Sequence, residues 1–267
     1  MREIQTNTNF DRLRKSTYVL NSLVKNDIKK QYRNSVLGIL WTVLNPLLNM
    51  FVMAFVFSSI LNVSRSGENY QTYLLTGNII FGLMRQSTST SLTSIVDNFG
   101  MVTKVKISYS VLPLTRVLTA LVSFGFSYIA LFIVMLAYKV KFSWTMLLAI
   151  PFLPSLLLFS LGMSFILCTF YVYFRDTHHI YGVMLTLWMY MTPLFYYADA
   201  SILPAKIMKI MQLNPMFHYV KYFRDITMYS TIPGWKETLI CYGVGIVFFL
   251  IGLLIFKWRR KYFILHI

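Results

Sequence analysis

Nine acidic residues are spread over 267 positions, and none lies near the middle of an apolar block. Catalysis inside a membrane needs ionisable groups gathered beside the substrate, and no paired-aspartate motif of the kind that holds Mg²⁺ and diphosphate occurs. There is no Gly-x-x-x-x-Gly-Lys-Ser/Thr stretch, so the chain has no P-loop with which to cradle ATP. His178-His179 is the one adjacent histidine pair, and neighbours on a helix point apart, so a shared metal is not expected. Cys168 and Cys241 each lie inside an apolar block, which fits buried free thiols better than a disulfide. The chain reads as a non-enzyme with no metal or cofactor of its own. Proton- and sodium-coupled carriers also rely on intramembrane carboxylates. If this protein moves something uphill, the energy should come from another chain.

One charge and many rings remain. Arg85 sits well inside an apolar block and is followed by Gln86 and the run Ser87-Thr88-Ser89-Thr90-Ser91. A lone intramembrane arginine faces the bundle interior, a water-filled path, or the nearer interface by snorkelling. No acid is placed to neutralise it at the same depth, so it meets either an anionic part of a substrate, such as a lipid phosphate, or the inner headgroups. Aromatics make up 17% of the chain. Many fall at block ends, where an interfacial belt accounts for them. Trp41, Trp188, Tyr190, Phe195, Tyr196 and Tyr197 gather instead on two blocks. Rings with polar edges suit the alternating CH and OH faces of a sugar strand, although ordinary packing explains them equally well.

The elements that carry these residues are membrane helices. With 57% apolar residues, 13% charged residues and a mean hydropathy of +0.59, the chain is too apolar for a water-soluble domain. A ruler of about 20 apolar residues gives six spans near 37–61, 71–95, 113–137, 145–173, 180–198 and 238–257. The second is the most polar, and Pro151 and Pro154 suggest a bend near the start of the fourth. An even count puts both termini on one side, and the excess of Lys and Arg on that side makes it cytoplasmic. The net charge of +16 is then juxtamembrane charge facing anionic lipid, not a nucleic-acid surface. The polar N-terminus shows no removable signal peptide.

The chain thus divides into a cytoplasmic region 1–36, a six-span domain 37–257 and a cytoplasmic tail 258–267. Within the first, Phe10, Leu13, Thr17, Leu20, Val24 and Ile28 recur at helical spacing, opposite Lys15, Lys25, Lys29 and Arg33. Such a helix lies in the lipid interface or packs on the protein's own inner face. An inner loop covers 97–113. An outer segment, 199–236, holds two short helices separated by Asn214-Pro215. In the second of them Met216, Tyr219, Val220, Phe223 and Thr227 form an apolar face, with Lys221, Arg224 and Asp225 opposite.

The stretch "QYRNSVLGILWTVLNPLL" resembles the first span of the ABC-2 permeases that export lipid-linked polysaccharides. The matching residues are Tyr32-Arg33, Ser35, Leu37-Gly38, Trp41 and Asn45-Pro46-Leu47. The inner loop ending in Leu-Pro is similar to that family's, as are "YVYFRDTHHIYGVMLTLWMYMTPLFY" and "LNPMFHYVKYFRD", and the likeness runs the whole length. It implies a homodimeric pore served by two copies of a separate ATPase subunit, which binds the ATP and Mg²⁺. The substrate would be an O-antigen, capsule or teichoic acid carried on a polyprenyl lipid across a bacterial plasma membrane. Phe99, Val102, Lys104, Arg175, Asp176 and His178 would transmit ATPase closure. Trp41, Trp188, Tyr190, Phe195 and Tyr196, with Arg85, would lie on the substrate channel, and Asn214, Pro215 and Phe217 would form its outer gate. Arg85 and its Ser/Thr run are more polar than the resemblance leads one to expect. The rival readings are an ABC-2 exporter of a drug, haem or simple lipid, a membrane glycan transferase, or a scaffold of a glycan synthesis complex.

Overall fold

A computed structural model describes residues 9–32, 35, 37–60, 69–105, 108–198 and 204–266. Arg33 and the side chains of Phe10, Leu13, Lys15, Tyr32 and Lys104 lie outside the described residues. All regular structure among those described is helical. Helix α1 (Asn9–Tyr32) is followed by a 3₁₀ turn (Gly38–Leu40) and α2 (Trp41–Ala54), which widens into a π-helical end (Phe55–Ile60). Then come α3 (Tyr70–Leu92), the short α4 (Ser94–Asp97) and α5 (Phe99–Val105), and α6 (Val111–Ala137). A 3₁₀ turn (Trp144–Leu148) leads into α7 (Ala149–Tyr173), followed by α8 (Thr177–Met191), α9 (Ala205–Gln212) and α10 (Pro215–Thr227). Helix α11 (Trp235–Arg259) ends in a last 3₁₀ turn (Arg260–Leu265).

The Ser-x-Leu-Gly element is a turn. Gly38 has φ +49°, which a glycine adopts without strain, and its N–H donates to the Ser35 hydroxyl at 3.2 Å. The amphipathic α1 packs on α6 at one end of the bundle. Val19 and Leu23 join the cluster there, and Asp27 pairs with Arg116 of α6 at 2.6 Å. Lys25 and Lys29 remain exposed on the other face.

Val111–Ala137, Trp144–Tyr173 and Trp235–Leu265 are long and apolar enough to cross a bilayer by length and hydropathy alone. Trp41–Phe57 is apolar but shorter, and α8 has 15 residues. Helix α3 has the length but is too polar for that criterion, and the reason is its place in the fold. It is the central post of the bundle, packed against α2, α6, α7, α8 and α10. Three of its fully buried hydroxyls bond to its own carbonyls one turn back: Thr76 to Thr72 at 2.9 Å, Ser87 to Leu83 at 2.8 Å and Thr88 to Met84 at 2.7 Å. Hydroxyls so bonded need no water, however polar they make the sequence.

Helices α7 and α11 form the most intimate pair. A Cβ on Gly162 would strike the backbone of Phe248, and one on Gly252 would strike the carbonyl of Gly162, so only glycine permits this approach. The bundle has two distinct ends. At one, Thr145 ahead of α7 donates to Ile226 of α10 at 2.7 Å, and Tyr70 of α3 donates to the carbonyl of Phe195. At the other, Tyr173 of α7 reaches the carbonyl of Arg259 at 3.3 Å, and Phe263 is fully buried among Ile95, Val102, Leu112, Phe165 and Phe256. The C-terminal turn is thereby clamped to α4 and α5.

Candidate functional site

Three groups of residues were expected to work together, and the structure places them at three levels. At the Phe263 end, Val102 is buried, and Phe99 stacks on Tyr109, which meets Phe263 edge-on. Arg175, Asp176 and His178 are exposed on the turn between α7 and α8, with the Arg175 guanidinium 5.1 Å from the ring centroid of Tyr171. The Asp176 carbonyl starts α8 by accepting the N–H groups of His179 and Ile180, and Thr177 Oγ1 donates to Phe174. An exposed, charged turn rigidly joined to two helices can pass a displacement into both.

The opposite end is built around Asn214. Its Oδ1 accepts the Trp188 Nε1–H at 2.6 Å and the Met216 N–H at 3.0 Å, and so caps α10. Its Nδ2 donates to Thr192 Oγ1 at 2.9 Å. Pro215 takes the first helical position, where its missing N–H costs nothing. One buried amide therefore joins the end of α8 to the start of α10. Phe217 is partly buried and meets His218 edge-on.

Between α8 and the outer helices the chain leaves regular structure at Thr192–Phe195 yet stays buried. Its carbonyls need donors, and Arg224 supplies them. The guanidinium donates to Pro193 at 2.7 Å, Leu194 at 3.3 Å and Tyr73 at 3.1 Å, while lying 3.4 Å from the ring centroid of Tyr73. Tyr73 donates in turn to the carbonyl of Tyr196 at 2.8 Å. The residue expected on the polar face of this helix is only 5% exposed, because a non-helical segment beneath it offers carbonyls that no backbone donor reaches. Burial draws its pKa below the ordinary arginine value, and Tyr73 opposes that shift. Gly77 makes room, since a Cβ there would stand 2.6 Å from Arg224 Nη2. The apolar face of Met216, Tyr219, Val220, Phe223 and Thr227 is fully buried, as its spacing predicts.

The aromatic residues divide. Phe195 is buried and stacks on Phe57 at 5.2 Å. Trp188 is partly buried between Asn214 and Phe159. Tyr190 is exposed, and its carbonyl holds the Tyr196 hydroxyl at 2.7 Å. Trp41 is partly buried at the start of α2. A cleft of about 950 Å³ opens between α2, α3 and α6, lined among others by Asn45, Asn49, Asn78, Arg85, Gln86 and Arg116, and also by Met189 and Phe195. Arg85 and Phe195 share it; Trp41, Trp188, Tyr190 and Tyr196 do not line it.

The ABC-2 type transporter model matches residues 18–228, most of the chain. The chain is 29% identical over 241 residues to the O-antigen export system permease protein RfbA of Klebsiella pneumoniae, covering 90% of this chain and 91% of that one. It is 29% identical over 245 residues to the protein of the same name from Myxococcus xanthus, covering 92% and 94%. The match takes in the Gly38 turn, the polar central helix and the capped Asn214-Pro215 helix alike, and the chain belongs to the ABC-2 type transporter family.

Proposed function

We propose that the chain is the permease subunit of an ABC exporter that carries a polyprenyl-linked polysaccharide, of O-antigen, capsule or teichoic acid type, across a bacterial plasma membrane. The observation that carries this reading is the near full-length likeness to two permeases named for O-antigen export. The chain works as a homodimer with two copies of a separate ATPase subunit, which binds ATP and Mg²⁺. The exposed apolar faces of α2 (Leu48, Phe51, Val52) with the following Phe55, and of α8 (Val183, Met184, Leu187), support pairing with a second copy.

In this reading α2, α3, α6, α7, α8 and α11 are the six spans, and the Phe263 end faces the cytoplasm, where the excess of Lys and Arg belongs. The Arg175-Asp176 turn and α5 meet the ATPase. Channel contacts come from Trp41, Tyr190 and Tyr196 along the paired faces, with Phe195 behind them. The outer pair α9 and α10 gates the exit, with Asn214 as its pivot.

The test is disruption of the gene in its own host, with polyprenyl-linked glycan extracted from inside and from the surface. Internal accumulation with surface loss is expected. Unchanged surface glycan without accumulation would move the substrate to a small molecule or simple lipid.

A further inference from the structure

Three helices turn polar side chains toward one space inside a single subunit. Asn45 and Asn49 on α2, Asn78, Arg85 and Gln86 on α3, and Arg116 on α6 line the 950 Å³ cleft, and no Asp or Glu is among its lining residues. Most of this polarity is answered within the protein. Asn78 donates to the carbonyl of Leu74 at 2.9 Å, Gln86 to Ser123 at 3.1 Å, and Arg116 is paired with Asp27. The side chains of Asn45, Asn49 and Arg85 make no hydrogen bond or ion pair with any described residue. Three sets of unanswered N–H donors, one of them a full positive charge, therefore face a common space. Arg85 stands about two turns from the end of α3, roughly 10 Å along its axis.

A cation at that depth in a bundle is costly unless water or an anion meets it, and amides beside it add donors without cancelling its charge. Planar N–H donors on guanidinium and amide groups match the oxygens of phosphate. The volume suits a headgroup with the first carbons of its chain.

We infer that this cleft is a seat for the phosphate group of a prenyl lipid, held by Arg85 with Asn45 and Asn49. Arg116 lines the same cleft, its charge balanced by Asp27 of α1, so Arg85 is the cation left for the phosphate. That the lipid is a prenyl carrier bearing a glycan for export rests on the proposed function; the phosphate seat itself does not.

The test uses the permease assembled with its ATPase in phosphatidylcholine nanodiscs. Equilibrium binding of radiolabelled farnesyl phosphate is measured, with farnesol and inorganic phosphate as competitors. Saturable binding is expected, weakened at least about tenfold by Arg85→Gln and less by Arg85→Lys, which keeps the charge but not the fork. Asn49→Asp, which conserves shape and brings a carboxylate into the cleft, is expected to weaken binding as Arg85→Gln does. Equal binding by wild type and both charge-altering variants would overturn the seat and leave Arg85 snorkelling. Inorganic phosphate competing as well as farnesyl phosphate would overturn the lipid as its source. Lost farnesyl phosphate binding in Arg85→Gln with unchanged surface glycan on gene disruption would keep the seat and sink the export reading. Unaltered binding in the variants with a disruption that blocks export would do the reverse.

Discussion

Two arginines inside the bundle have opposite surroundings. Arg224 is 5% exposed, donates to three backbone carbonyls and lies against the face of Tyr73. Arg85 is exposed to a polar cleft and bonds to no described residue. The first holds a non-helical segment in place where no water can; the second keeps its donors for something that arrives. The difference shows that depth alone does not tell a structural cation from a binding one. What separates them is whether the donors are already used.

The sharpest way to break the comparison is to remove each side chain in turn. Arg224→Ala strands the carbonyl of Leu194, takes the shortest bond from that of Pro193 and leaves a cavity, so it is expected to cost about 3 kcal/mol or more. Arg85→Ala removes no bond within the described residues and is expected to leave the unfolding midpoint close to wild type. Thermal unfolding of both in the same detergent checks this, and equal losses would end the distinction. Gly77→Ala tests the same node from the other side. Its Cβ would push on Arg224 Nη2, with an expected cost of about 1–3 kcal/mol and no added loss when combined with Arg224→Ala.

How far these roles are legible in the sequence follows from their range. The Ser35 to Gly38 turn and the Asn214-Pro215 cap are local, so residue type and spacing reveal them. The apolar helices α6, α7 and α11 are equally plain. Helix α3 is misjudged by hydropathy because its Ser and Thr hydroxyls are counted as wanting water, while those of Thr76, Ser87, Thr88 and Thr90 are bonded to carbonyls one turn back. Arg224 stays hidden because its partners, Pro193 and Tyr73, are 31 and 151 positions away. Helical spacing puts it beside Lys221 and Asp225, and only the fold shows that a segment of free carbonyls lies beneath it. The cleft is hidden likewise, since it takes three helices to assemble.

Asn214→Ala sharpens the picture at smaller cost. It removes an N-cap and leaves the Trp188 Nε1–H without its acceptor, which together are expected to cost about 1–2 kcal/mol. The loss should show as earlier proteolysis between α8 and α10, and cleavage unchanged from wild type would exclude a pivot there.

Arg175→Ala is expected to have the smallest effect on stability and a large one on function. The side chain is exposed, and the ring of Tyr171, 5.1 Å away, lies at a distance where an exposed cation–π contact contributes little. Unfolding should therefore match wild type. If the turn between α7 and α8 receives the ATPase stroke, export should fall while ATP hydrolysis continues, because the receiving surface has changed and the bundle has not. Arg175→Lys, which keeps the charge, should recover part of the export if attraction to an acidic partner surface is the cause. Full export in Arg175→Ala would remove the turn from the coupling path and leave α5, clamped by Phe263, as the element to test in its place.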